Sequence, residues 1–250
     1  MAVRSKTARL AAAVAVCGAV LLGSVASAPG AGAATEANKS YVRALYGDIL
    51  DRPDVTSDDA GITFWADRLD APGQTRGSVV MGIQRSSTEY YGNIVDFNYA
   101  LFLDRTAEPS GRSFYTDGFR SRRLTLEAIV VALGQSREYF IRVGGTNAAF
   151  VEAIYFDVLG READASGRAF ALDYVATRGR GQYVALIQRS NEKRRQVVRD
   201  TFGTFLGRQP TNTELNFWVG ELAPGQTRRE DFDGALASSQ EYYDRNSDGG

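Results

Sequence analysis

The sequence contains no histidine, and Cys17 is its only cysteine. Structural and catalytic zinc sites are built on Cys and His ligands, so a zinc protein is not expected. The Ser-His-Asp and Cys-His mechanisms need the same missing imidazole. No excess of positive charge is present either. Arg4, Lys6 and Arg9 are the three basic residues ahead of Glu36, the first acid, so the chain after the N-terminal segment carries 26 basic against 30 acidic residues, a net −4. Binding to nucleic acid rests on phosphate neutralisation, which a weakly acidic chain does not supply. No cofactor or metal is expected.

What is present begins with a leader. Arg4, Lys6 and Arg9 precede an unbroken apolar and small-residue run from Leu10 to Leu22, followed by Ala26-Ser27-Ala28 and Ala31-Gly32-Ala33. This order of charge, apolar run and A-x-A triplet reads as a signal peptide over residues 1–34. Pro29 disfavours cleavage after Ala28 and points to Ala33 or Ala34. The uncharged stretch Leu10–Ala28 approaches the ~20 residues of a membrane span, but its Ala and Gly are weakly apolar and the small-residue pattern favours cleavage. Cys17 then leaves with the leader, so the exported chain has no thiol and forms no disulfide. The protein is expected to be secreted, extracellular or held at the cell surface, without a stable membrane span.

From residue 35 on, the chain repeats itself. An aliphatic residue, Gly or Asp, then Arg occurs as Leu50-Asp51-Arg52, Leu103-Asp104-Arg105, Leu159-Gly160-Arg161 and Leu206-Gly207-Arg208. Ten residues before each Arg stands Val42, Val95, Val151 or Val198; six before, Tyr46, Tyr99, Tyr155 or Phe202; three before, Ile49, Phe102, Val158 or Phe205. Offsets of ten, six, three and two fall on one face of a 3.6-residue helix. A second helix is marked by Phe64, Phe114, Phe170 and Phe217. Its turn offers caps: Asp58, Asp164, Pro109 at a first helical position, and a Thr211/Glu214 capping box. The third helix follows a loop that is identical in two repeats, residues 71–76 and 223–228, in which Pro-Gly ends one helix and Thr75 or Thr227 caps the next, Thr227 with Glu230 forming a further box. Each repeat closes on Ser-x-Glu, at Ser87, Ser136, Ser190 and Ser239, with Ser as N-cap and Glu in the first turn. The fold class is all-α: a helical repeat array or compact bundle of about four three-helix repeats spanning residues 35–250, with possible halves 35–143 and 148–243 either side of Gly144-Gly145 and a disordered tail at 244–250.

These motifs resemble a known family. A helix ending Leu159-Gly160-Arg161, an acid at Asp164, then Gly167 and Phe170, and the stretch from Phe217-Trp218 to Ser239-Gln240-Glu241-Tyr242, are similar to the bacterial domain of unknown function DUF4214. The likeness covers about residues 40–243. A more distant likeness is to the linker domains that organise phycobilisomes. The resemblance implies a helical domain of secreted and surface-attached proteins that serves interaction or scaffolding, and it carries no active-site residues. The chain departs from the pattern at Glu192-Lys193-Arg194, where an aromatic pair is lost, and at Glu214, where Gly is expected.

Each signature residue has a structural and a functional reading. Arg52, Arg105, Arg161 and Arg208 can form a ligand ladder; the preferred reading is that each satisfies the carbonyls ending its helix or bonds the acid of the next turn. Tyr90, Tyr91, Tyr139, Tyr242 and Tyr243, after Ser-x-Glu, can form a stacking platform for sugars, although only one of two consecutive residues can face a core. The acids at Asp58-Asp59 and Glu230-Asp231-Asp233 leave room for a carboxylate-dependent polysaccharide hydrolase, Asp244 to Gly249 resembles half a calcium loop, and Lys193, Arg194, Arg195 and Arg199 form a basic patch. The expected function is a non-catalytic interaction or scaffold module whose partner is a protein or glycan, with self-association as an open alternative.

Overall fold

The computed structural model describes residues 35–54 and 59–247. The leader, the Asp58 cap and the last three residues of the expected tail lie outside the described residues. Among those described there are fourteen α-helices and no strand: α1 (Glu36–Leu50), α2 (Ala60–Asp70), α3 (Arg76–Ser86), α4 (Glu89–Leu103), α5 (Pro109–Arg120), α6 (Leu126–Gly134), α7 (Arg137–Arg142), α8 (Asn147–Leu159), α9 (Ala165–Arg178), α10 (Arg180–Gln188), α11 (Asn191–Leu206), α12 (Asn212–Glu221), α13 (Arg229–Ala237) and α14 (Gln240–Ser247). None is long and apolar enough to cross a membrane. Residues 244–247 continue α14.

Local chemistry sets most of the boundaries. Thr35 accepts from Asn38 N, Asp59 from Gly61 N and Ile62 N, Thr146 from Ala149 N and Asp164 from Gly167 N. Each bond satisfies an N–H that a helix start leaves without a partner. The predicted Thr211/Glu214 box is closed in both directions, at 2.7 Å from Thr211 N to Glu214 Oε2 and 3.3 Å from Glu214 N to Thr211 Oγ1. The two identical loops end differently. Thr75 caps α3 at Arg76, whereas the Thr227 hydroxyl donates to Glu221 Oε2 and α13 begins only at Arg229. The expected Thr227/Glu230 box therefore gives way to a longer loop. The first helices of the four repeats end at Asp51, Asp104, Gly160 and Gly207, all at positive φ.

The periodic face is the core face. Val42, Val95, Val151 and Val198 are fully buried, and the aromatic and aliphatic residues at the six- and three-residue offsets are buried in every repeat. Ser-x-Glu starts the helix that follows it. After Ser87 and Ser190 that helix is the long first helix of the next repeat; after Ser136 and Ser239 it is a short helix of its own, α7 or α14. The order of helices in α1–α7 is thus repeated in α8–α14.

The chain forms two compact units. One gathers the described residues up to 90 with 199–217 and those from 230 on; here α1 packs on α14, and α2 and α3 pack on α1 and on each other. Gln84 Nε2 on α3 reaches the Glu230 carbonyl of α13 at 3.2 Å, and Tyr242 on α14 reaches Asp48 on α1. The other gathers 91–198 with 218–229, where α6 packs on α10 and α9 on α8. Gly134 of α6 lets Ile154 and Val184 approach: a Cβ there would stand 3.3 Å from both.

Candidate functional site

The four motif arginines do one thing. Each guanidinium binds the glutamate of the Ser-x-Glu that closes its own repeat: Arg52 with Glu89, Arg105 with Glu138, Arg161 with Glu192 and Arg208 with Glu241. In the last three, Nε and Nη2 take the two carboxylate oxygens in a fork, at 2.6 and 3.1 Å for Arg105 and at 2.5 and 2.8 Å for both Arg161 and Arg208. Bidentate pairing of this kind fixes geometry as well as adding attraction. The same guanidinium lies over the aromatic six residues upstream, 5.1 Å from the Tyr99 ring centroid, 5.2 Å from Tyr155 and 5.2 Å from Phe202. A third bond, from Nη1 to the carbonyl of the next residue, locks the turn at Thr106, Glu162 and Gln209.

This corrects the expectation that these arginines satisfy the carbonyls ending their own helices. In three repeats a carbonyl there goes to another cation. Arg142 donates to Phe102 O at 2.8 Å, Lys193 to Val158 O at 2.7 Å and Arg245 to Phe205 O at 3.1 Å. The bond to the next turn's acid does form in two repeats, Arg105 to Glu108 and Arg208 to Glu214. The Ser87, Ser136, Ser190 and Ser239 hydroxyls all accept a backbone N–H at 2.9–3.1 Å, from Glu89, Tyr139, Lys193 and Tyr242. Arg105 holds the carboxyls of Glu138 and Glu108 below the ordinary range, and Arg161 does the same to Glu192. Burial acts against Glu214, but the Arg208 guanidinium and the Thr211 backbone bond bring it below that range too.

The departure at Glu214 has a physical cause. In the first three repeats a tyrosine hydroxyl fills the space beside a glycine: a Cβ on Gly61, Gly111 or Gly167 would meet the Tyr46, Tyr99 or Tyr155 hydroxyl at 2.4–2.5 Å. In the fourth repeat the tyrosine is Phe202 and the glycine is Glu214, whose carboxylate binds Arg208. Removal of one hydroxyl and addition of one carboxylate occur together.

The tyrosines after Ser-x-Glu do not form a sugar platform. Tyr139 and Tyr242 are fully buried, Tyr90 and Tyr91 nearly so, and only Tyr243 is partly exposed. Two of the three consecutive pairs divide between two jobs: Tyr139 and Tyr242 enter the core, while Arg76 covers the Tyr243 ring at 4.8 Å and Arg180 covers Phe140 at 4.0 Å; Tyr90 and Tyr91 are both buried, against the expectation that only one of a pair faces a core. The buried phenols donate to carboxylates, Tyr139 to Asp157 at 2.7 Å and Tyr242 to Asp48 at 2.8 Å. Burial raises both phenols, and the facing carboxylate adds to the rise.

Among the candidate acids and cations, Asp59, Asp233, Lys193 and Arg194 are engaged within the fold. Asp59 caps α2, and Asp233 accepts from Tyr90 at 3.3 Å and Thr201 at 3.4 Å. Lys193 binds Val158 O and Gln196, and Arg194 binds Asn191.

Signature residues left facing water are the second-helix phenylalanines. Phe64, Phe114 and Phe170 are each 55 % exposed, and Phe217 is partly so. They mark the helix but not its buried face. On α2 the buried positions are Ile62 and Ala66, and on α9 Ala171 and Val175, stripes that leave Phe64, two residues after Ile62, and Phe170, one residue before Ala171, off the buried face. Phe64 stands edge-to-face with Trp65 at 5.0 Å, Phe114 with Tyr115 at 5.2 Å, and Phe170 lies 5.6 Å from Tyr174. A neighbouring ring therefore fixes each exposed one. Arg123 also lies over Phe114, at 5.8 Å.

A family model described as a domain of unknown function, DUF4214, matches residues 25–94, a stretch that contains α1, α2, α3 and the Arg52–Glu89 pair. No curated protein and no solved structure matches the chain.

Proposed function

We propose that this DUF4214-matching chain is a non-catalytic interaction module, exported and acting at the cell surface or in the extracellular matrix. Its binding elements are the outward phenylalanines of the second helices. The observation that carries this reading is the repeated exposure of Phe64, Phe114 and Phe170 at one register. A large apolar ring held in water by a scaffold offers contact area with little ordering left to pay for on binding. The polar signature residues support the same reading from the other side. The arginines, glutamates and serines of the motif bond one another, as a scaffold requires. Export is proposed from the leader-like residues 1–34 alone.

A phenyl ring has no polar handle, so a protein surface suits it better than a sugar does. The purified chain, immobilised and exposed to culture supernatant and cell-envelope material, is expected to retain a partner that protease treatment of the extract abolishes. Retention that survives protease and is lost on polysaccharide digestion would move the partner class to glycan. If nothing is retained by the folded chain, the proposal fails.

A further inference from the structure

α1 and α14 stand at opposite ends of the described residues, yet they pack on each other. Four contacts that α14 makes within its unit repeat contacts that α7 makes within the other. Tyr242 donates to Asp48 as Tyr139 does to Asp157. The Tyr242 ring meets Tyr41 at 5.8 Å as Tyr139 meets Phe150 at 6.0 Å. Arg76 covers Tyr243 as Arg180 covers Phe140. Arg245 caps Phe205 O as Arg142 caps Phe102 O. One difference remains. The α7–α8 joint is tied by residues 143–146, which turn through Gly144 and Gly145 at positive φ. The α1–α14 joint has no such tie: Tyr242 and the Asp48 carboxylate to which it donates are 194 residues apart.

We propose that the α1–α14 joint also forms between two copies of this chain, α14 of one seated on α1 of the other. α14 also meets Phe205, Arg208 and Arg76 of its own chain, so it exchanges together with those contacts, each remade on the second copy. Opposing it are the opening of the turn at Ser238 and Ser239 and the entropy of association, the second of which concentration overcomes. The joint carries its own specificity. It requires a phenol facing Asp48 and a ring facing Tyr41, both of which Tyr242 of a second copy supplies. The inference does not rest on the exposed phenylalanines, so either reading can fail alone.

The test uses two lesions, Tyr41→Ala on α1 and Tyr242→Ala on α14, each in the full chain with Phe64, Phe114 and Phe170 changed to alanine. Each variant is refolded from urea at high concentration, alone and mixed one to one, with one partner tagged. Within a single chain both variants have a damaged joint. In an exchanged heterodimer one joint is intact. The expected result is a species of twice the monomer mass, containing both chains, that forms in the mixture and not in either variant alone. A mixture that remains two monomers overturns the proposal. Should either lesion prevent folding, tagged and untagged F64A/F114A/F170A chains are refolded together at the same concentration. Co-capture that persists on dilution supports exchange, and its absence overturns it.

Discussion

Arg161 and Glu192 lie 31 residues apart, and the guanidinium of one forks the carboxylate of the other at 2.5 and 2.8 Å while stacking over Tyr155. The pair ties the end of a repeat's first helix to the start of the helix that follows the repeat. Both side chains are more than a third exposed. Such a pair is worth only about 1 kcal/mol or less to stability, so its role is to set register. A double-mutant cycle with Arg161→Ala and Glu192→Ala is expected to give a coupling of about that size. Arg161→Lys should lose most of it, because an ammonium cannot fork. A full-strength coupling with lysine would contradict the geometry.

The packing of tyrosine against glycine predicts a compensating pair. Gly167→Ala places a Cβ about where the Tyr155 hydroxyl stands, 2.5 Å away. Overpacking of this kind costs about 1–3 kcal/mol. Adding Tyr155→Phe removes the obstructing oxygen and is expected to restore most of the loss, as Phe202 does in the fourth repeat. Urea midpoints of the two single variants and the double variant check it.

Two helices end on an aspartate in the left-handed region, Asp51 at φ 58° and Asp104 at φ 52°, where the other two repeats use glycine. An L residue with a Cβ is disfavoured there by roughly 1–2 kcal/mol, and a carboxylate at a helix C-terminus meets the negative end of the dipole. Asp51→Gly and Asp104→Gly are each expected to raise stability by up to about 1 kcal/mol, the gain being reduced by the greater freedom of glycine in the unfolded chain. A fall in the urea midpoint would contradict this.

The ion pairs also set a pH dependence. Glu108, Glu138, Glu192 and Glu214 are held below the ordinary glutamate value of 4.5 in the folded chain. A depressed acid contributes stability above its unfolded value and loses it as pH falls through the folded value. Asp48, raised above 3.8 by burial and partly offset by its Tyr242 bond, has the opposite sign, giving up stability as pH rises through that range. With Glu36 and Asp164, which are also lowered, six groups oppose one, so stability is expected to drop on acidification below about pH 4.5. Urea melts between pH 3 and 7 measure it, and a flat profile would contradict the pairing.

The core face was legible in the sequence because it is a local period. Val42, Val95, Val151 and Val198 were identified by offset alone and all four are fully buried. The caps at Asp164 and Thr211 were legible for the same reason. The Arg–Glu pairs were half legible. Both partners stood out as motifs, but 31–37 residues separate them, and helical periodicity says nothing over that distance. The outward turn of the second-helix phenylalanines went unread because a recurrent aromatic suggests a core. The signal lay in its neighbours: Ile62 and Ala66, spaced four apart, already assign the buried stripe and leave Phe64 off it. The α1–α14 joint had no sequence signal of its own, since Tyr242 and Asp48 are separated by 194 residues.

The measurement that bears most directly on the interaction module is a comparison of capture and stability in F64A/F114A/F170A. The three rings are more than half exposed, so their removal should leave the urea midpoint nearly unchanged while abolishing retention of the partner held by the unaltered chain. If the variant retains the partner as well as the unaltered chain does, the outward phenylalanines are not the binding elements and the proposed function is wrong.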